Sequence, residues 1–100
     1  MRAKIRQMLF NVVDELNQLR PADEHLAKDL ETPLAGDHGR LDSSGLINLI
    51  AVAEQKAAEE LDRHILLTDD RTLSQANQVF STLGTLADYI YRRLNEKNDS

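Results

Sequence analysis

The sequence of 100 residues contains no cysteine and no tryptophan, and it has few prolines, glycines and other aromatic residues. Without cysteine, the chain has no disulfide framework, no thiolate metal site and no thiol nucleophile of its own. Because there are only two phenylalanines and two tyrosines, the core must be built from leucine, isoleucine, valine and alanine. A chain of this length forms one modest domain, since compact domains usually contain about 100 to 150 residues.

Positive charge and long apolar runs are also scarce. Twelve lysines and arginines stand against seventeen acids, and the net charge of −5 argues against general affinity for the nucleic-acid backbone. The bases concentrate at the ends, because residues 1–10 hold three bases and no acid while residues 11–90 hold six bases and fifteen acids. No stretch approaches the roughly 20 apolar residues of a membrane span, and the basic start lacks a small-residue cleavage site. We therefore expect a soluble, cytoplasmic protein.

Apolar residues recur at spacings of three and four in three segments, which is the pattern of amphipathic helices. The spacing predicts helices over 2–19, 43–61 and about 82–95, and one helical turn within 72–77. The expected core residues are Ile5, Leu9, Val12, Val13, Leu16 and Leu19 in the first segment, Leu46, Leu49, Ile50, Ala53, Ala57 and Leu61 in the second, and Leu83, Leu86, Tyr89 or Ile90, and Leu94 in the last. No second strand pairs with the extended run 64–68, so the predicted fold is an all-α bundle.

A long connection separates the first two predicted helices. Residues 20–42 hold both prolines and two of the four glycines, and the isolated Leu26, Leu30 and Leu34 can pin the segment to a core. Loops of this length are uncommon in so small a domain and are usually functional or disordered. We expect a single domain over 1–95 and a flexible tail over 96–100.

The sequence gives little support for a metal site or for an enzyme active site. His25, His38 and His64 lie among carboxylates, but no two have the i, i+4 spacing of helical metal ligands and no cysteine supports them. A Ser-His-Asp hydrolase is disfavoured, because the chain lacks a G-x-S-x-G turn and an alternation of strands and helices. The chain also lacks a phosphate-cradling glycine loop, and the basic ends are typical of solvated helix surface.

The segment 39–49 carries the most informative pattern. A loop delivers Asp42 and Ser43 to the first turn of the second predicted helix, where Ile47 lies off the core spacing and is expected to face water. Unpaired N–H groups and the positive end of the helix dipole favour an anion at that turn, so a phosphate esterified to Ser43 would lie in a stabilising field. Asp42 or Ser43 can instead serve only as a helix cap, which is a common role of such residues.

Two motifs resemble those of acyl and peptidyl carrier proteins. Residues 41–50 read L-D-S-S-G-L-I-N-L-I, which is similar to the attachment motif that opens the second helix in that family. Residues 80–90 read F-S-T-L-G-T-L-A-D-Y-I and resemble the opening of the family's last helix. Length, acidity, the missing cysteine and the long first loop also match. The L-D-S-x-G motif is similar to that of D-alanyl carrier proteins as well, although residues 68–90 fit the general acyl-carrier pattern better.

The resemblance implies a four-helix bundle with a short third helix and a long loop between helices 1 and 2. It makes Ser43 the residue that receives 4′-phosphopantetheine from coenzyme A through a separate transferase, with Asp42 assisting the magnesium-dependent modification. It also implies a partner-binding face on the second helix, formed by Ser44, Ile47, Asn48, Ala51 and Glu54. Ser44 replaces a bulky apolar residue of the family pattern, which is a departure that bears on recognition by the transferase. Asn48 replaces an acid of that pattern, which suggests partners that rely less on salt bridges.

The implied function is that of a free-standing carrier rather than an enzyme. A thiol at the end of the long arm holds an acyl or aminoacyl group as a thioester and presents it to enzymes that dock on the second helix. The expected partners of this monomer are the phosphopantetheinyl transferase, an acyl- or aminoacyl-loading ligase, and downstream synthases or transferases of fatty-acid or secondary-metabolite synthesis. The alternative is a helical adaptor module without a prosthetic group, in which Asp42 and Ser43 only cap the helix.

Overall fold

The computed structural model describes residues 2–35 and 41–95, apart from the side chain of Ser43. These residues form an all-α fold, as predicted: they contain no β-strand and only one isolated bridge, between Pro33 and Thr82. In chain order the elements are α1 (Arg2–Asn17), a 3₁₀ turn (Ala22–Glu24), α2 (Ser43–Glu60), α3 (Asp70–Leu73), α4 (Ala76–Val79) and α5 (Leu83–Asn95).

The observed elements lie close to the predicted segments. The second and last predicted helices each differ from α2 and α5 by one residue at one end. The turn predicted within 72–77 corresponds to two short helices, α3 and α4, which a turn at Ser74 and Gln75 separates. The run 64–68 is neither helix nor strand. The predicted tail 96–100 and His38 lie outside the described residues.

The first helix ends two residues earlier than its apolar spacing predicts. The side-chain amide of Asn17 bonds both backbone groups of Leu26: Nδ2 donates to the carbonyl at 2.9 Å, and Oδ1 accepts from the N–H at 2.8 Å. Pro21 also disfavours helical backbone at Arg20. The prediction of Leu19 as a core residue is therefore wrong, because this side chain lies beyond the helix and is 75% exposed.

An aliphatic core fills the space between α1 and the two helices that pack against it, α2 and α5. Apart from Leu19, the predicted core residues are buried or, in the cases of Leu46, Leu61 and Leu94, half-buried. The core also contains buried residues outside the predicted spacing, namely Met8, Leu26, Leu34, Leu41, Ile65, Leu67, Val79 and Phe80. Most of these come from the connecting segments, so the connections contribute to the core along with the helices.

The described part of the connection between α1 and α2 is fixed against the start of α5. Leu34 donates its N–H to the carbonyl of Ser81 at 2.9 Å, and Gly84 donates its N–H to the carbonyl of Leu30 at 2.7 Å. A Cβ on Gly84 would lie 2.9 Å from that carbonyl oxygen, so this close approach of loop and helix requires glycine. These bonds hold residues 30–34 of the connection at the start of α5.

A polar cluster fixes α3 against α5. Oγ1 of Thr72 lies 2.7 Å from the Tyr89 hydroxyl, which accepts a hydrogen bond from Nη1 of Arg93 at 2.8 Å. Nη2 of Arg93 forms an ion pair with Asp69 at 3.1 Å, and Asp69 also accepts from the backbone N–H of Thr72 at 2.9 Å. The hydrogen bonds from Thr72, followed by the Arg93 guanidinium, lower the pKa of Asp69 from 3.8 to about 2.

Replacing Asp69 with asparagine is expected to lower the free energy of unfolding at pH 7 by about 1 to 2 kcal/mol, because it removes the charged carboxylate that Thr72 and Arg93 stabilise. The pKa of Asp69 is lower in the folded chain than in the unfolded chain, so its contribution is present above about pH 4 and is lost as the pH falls through 2. Urea unfolding measures the difference in free energy of unfolding between the wild type and the variant. About half of the difference found at pH 7 should remain at pH 3. Asp70→Asn, at the exposed neighbour, is the control, and an equal loss in that variant would contradict the assignment.

Candidate functional site

The candidate site lies where the long loop meets the first turn of α2. Asp42 is the N-cap residue in extended backbone, and its Oδ1 accepts a hydrogen bond from the N–H of Gly45 at 2.8 Å. The helix itself begins at Ser43. The sequence predicts that Asp42 or Ser43 caps this helix, and in the structure Asp42 forms a cap. Asp42 is also exposed, so its carboxylate is accessible from solvent while it caps the helix.

Close packing holds this turn in place. Leu41 is buried and donates its N–H to the carbonyl of Leu34 at 3.0 Å. Gly45 is buried as well, and a Cβ there would lie 3.1 Å from Cδ2 of Leu41 and 3.3 Å from Oδ1 of Asp42. A larger residue at this position would push Leu41 or the capping carboxylate aside, which explains the glycine two residues after Ser43.

A positive charge lies beside this helix start. The guanidinium of Arg20 is held by Glu24, with Nε donating to the Glu24 carbonyl at 2.9 Å and Nη2 at 3.6 Å from its carboxylate. Nη1 lies 3.5 Å from the position that a Cβ would occupy on Gly45, and the side chain is only 18% exposed. Sequence reasoning missed Arg20, because nothing in its local spacing indicates that the loop returns it to α2.

The predicted partner-binding face is exposed over the first turns of α2. Ser44, Ile47, Asn48 and Ala51 are all solvent-exposed, and Ile47 is 65% exposed. The prediction that Ile47 faces water is confirmed. None of these four side chains carries a charge, so this part of the helix offers apolar contact and neutral polar groups to a partner.

Glu54, which was predicted on the same face, has an intramolecular partner. It is half-buried, and its Oε2 accepts a hydrogen bond from the backbone N–H of Leu67 at 2.7 Å. This bond ties α2 to the connector that leads into α3. Leu66 and Leu73, on the connector and α3, are 60% and 55% exposed, although their positions in the sequence did not indicate it. A role of Glu54 in partner binding stays a prediction.

The motif over residues 80–90 also lies at the start of a helix, α5. Thr82 and Thr85 cap the first turn of α5 reciprocally: Thr85 donates its N–H to Oγ1 of Thr82 at 3.1 Å, and Thr82 donates its N–H to Oγ1 of Thr85 at 3.0 Å. Phe80, just before this cap, is buried in the core. The residues of the motif over 80–90 therefore fix where the last helix begins.

The remaining candidates for chemistry do not form a second centre in the described part of the chain. His25 and His64 are exposed, and Nε2 of His25 lies 3.1 Å from the carbonyl oxygen of Arg20. Among the described residues, no group of three histidine, aspartate and glutamate side chains is placed to hold a metal ion. Over the same residues, none of the helices combines the length and the apolar character that crossing a membrane requires.

The chain matches no family model, no curated protein and no solved structure at a significant level. Its motifs and the geometry at the start of α2 are consequently the observations that bear on function.

Proposed function

We propose that this chain is a carrier protein that holds 4′-phosphopantetheine on Ser43, in an acyl-carrier-like four-helix bundle whose short third helix corresponds to α3 and α4. The observation that carries the proposal is the Asp42-Ser43 pair at the first turn of α2. The resemblance over 41–50 and 80–90 supports it, because both segments coincide with the starts of helices, α2 and α5.

The surroundings of Ser43 suit a phosphate diester. The first-turn N–H groups and the dipole of this 18-residue helix favour a negative group at its N-terminal end. Arg20 adds a positive charge close to the same turn, as its distance from Gly45 indicates. The exposed carboxylate of Asp42 is negative, but it can share a magnesium ion with an incoming pyrophosphate during loading.

The loading step joins the chain to the arm through a phosphodiester. An ester bond forms between Oγ of Ser43 and the pantetheine-bearing phosphorus of coenzyme A, and the pyrophosphate bond breaks. The adenosine 3′,5′-bisphosphate half leaves with the bonding electrons, and the hydroxyl proton passes to a base of the transferase. Once attached, the arm supplies a thiol, which the cysteine-free chain lacks, and that thiol carries an acyl or aminoacyl group as a thioester. The protein holds and presents the group, while partner enzymes carry out the reactions.

The exposed face of α2 is the proposed docking surface for the transferase, the loading ligase and the downstream enzymes. Its neutral side chains, which include Ser44, Ile47, Asn48 and Ala51, favour partners that make apolar and uncharged polar contacts. An apolar side chain as exposed as Ile47 is suited to a pocket on such a partner.

A helical adaptor without a prosthetic group is the second candidate. The bond from Gly45 to Oδ1 of Asp42 favours it, because capping alone accounts for an acid at this position. The two candidates differ in one chemical outcome, since only the carrier becomes covalently loaded.

Mass spectrometry after incubation with coenzyme A, magnesium and a broad-specificity phosphopantetheinyl transferase tests the proposal. Trypsin cleaves after Arg40 and Lys56, so residues 41–56 form one peptide whose only serines are Ser43 and Ser44. We expect the phosphopantetheine mass increment on this peptide alone, and no increment when the transferase is omitted. If several transferases leave the peptide unmodified, the adaptor becomes the better interpretation.

A further inference from the structure

A groove lined by arginines runs along α5 and lies apart from the exposed face of α2. It consists of two adjoining depressions of about 370 and 490 Å³, which share Arg2, Thr85 and Asp88. Arg92 lines the smaller depression and Arg6 lines the larger one. Three arginines therefore meet a single aspartate here, in a chain whose net charge is −5. The groove has the opposite sign of charge to the protein as a whole.

The arginines of the groove are available to a ligand. Nη1 of Arg2 lies 2.5 Å from Oδ1 of Asp88, but the two side chains are 61% and 59% exposed, so this ion pair contributes little to stability. The guanidinium of Arg2 also lies 4.1 Å from the ring centroid of Tyr91. Within the described residues, neither Arg6 nor Arg92 has an ion-pair partner. An incoming carboxylate can therefore replace Asp88 on Arg2 and pair with a second arginine.

The floor of the groove is partly apolar. Ile5 and Val79 contribute buried side chains to it, and Leu30, at 37% exposure, lines its larger depression. Arginine binds carboxylates through paired hydrogen bonds, and an apolar floor accepts an aliphatic side chain between them. A membrane surface fits less well, because Leu30 is the only large apolar side chain of the described lining that is exposed to an appreciable extent, which is too little apolar surface for insertion into lipid.

We propose that this groove binds an acidic peptide segment of a partner protein, with its carboxylates on the arginines and an apolar side chain on the floor. Complementary charge is the reason for this choice of partner, since three arginines and one aspartate give the groove a positive charge in a chain whose net charge is −5. The interaction goes beyond the proposed carrier function and does not depend on the modification of Ser43.

Binding of the peptide Glu-Glu-Leu-Glu-Glu to the unmodified chain tests the proposal. We expect saturable binding by fluorescence anisotropy, with the largest amide chemical-shift changes at Ala3, Gly84 and Ala87, which line the larger depression. The double variant Arg6→Glu/Arg92→Glu should bind at least about tenfold more weakly, because two attractive charges become repulsive. Lys28→Glu/Arg63→Glu makes the same change in net charge at exposed positions outside the groove and should bind within about twofold of wild type.

Several results would overturn the proposal. These are the absence of saturable binding by the wild-type chain, shift changes confined to residues outside the groove, and equal weakening in the Lys28→Glu/Arg63→Glu control. Stronger binding to phosphatidylglycerol vesicles than to the peptide, lost in the Arg6→Glu/Arg92→Glu variant, would assign the groove to a membrane surface instead. Because the shift changes are measured on the wild-type chain, the test does not depend on how well either variant folds.

Discussion

Replacing Ser43 with alanine is expected to abolish attachment of phosphopantetheine completely, whereas Ser44→Ala should still be modified. Asp42 directly precedes Ser43 and caps the helix, so its carboxylate lies at the turn where the phosphate would be joined. Neighbouring residues on an α-helix project about 100° apart, so a transferase docked on one face cannot address both serines equally. Intact-mass measurement of the wild type and both variants, after the same incubation with transferase, checks this.

Both serine variants should fold like the wild type, which makes the comparison interpretable. The cap is supplied by Asp42, and substitutions away from caps and cores usually change stability by less than about 0.5 kcal/mol. Circular dichroism and melting temperatures provide the control. An increment that persists in Ser43→Ala and disappears in Ser44→Ala would move the attachment site by one residue. An increment that persists in both variants would contradict Ser43 as the sole attachment site.

Local apolar spacing predicts the helices well where tertiary contacts agree with it. Leu49 and Leu86 lie on the predicted core faces of α2 and α5, and both are fully buried. The end of α1 shows why the same reasoning fails elsewhere. Its spacing extends to Leu19, but the side chain of Asn17 bonds the backbone of Leu26, nine residues further on, and the chain turns away. A hydrogen bond between side chain and distant backbone leaves no periodic signal in the sequence.

In the candidate site, too, contacts between residues close in sequence could be predicted, whereas contacts between distant residues could not. The cap formed by Asp42 involves Gly45, three residues away, and was predicted as one of two possibilities. Arg20 reaches the same turn only because the long loop folds back, and Glu54 meets Leu67 across the connector to α3. Sequence spacing places residues on a helix face, but it does not show which of them already have partners elsewhere in the fold.

Leu49→Ala is expected to lower the free energy of unfolding by roughly 2 to 5 kcal/mol, because it removes a fully buried side chain from the core. Ile47→Glu, two residues earlier on the same helix, should change it by less than about 0.5 kcal/mol, since Ile47 is 65% exposed. For a domain of this size, each kcal/mol shifts the melting temperature by roughly 4 to 8 °C. Thermal melts should therefore separate the two variants by about 6 °C or more.

The rate of phosphopantetheine loading should rank the same two variants in the opposite order. Ile47→Glu introduces a charge into the proposed docking face of α2 and should slow loading, although the chain stays folded. Leu49→Ala leaves that face intact, so it should load at close to the wild-type rate when assayed well below its lowered melting temperature. If Ile47→Glu unfolds the chain, Ile47 belongs to the core. If the variant stays folded and loads as fast as wild type, the transferase docks on a surface that does not include Ile47.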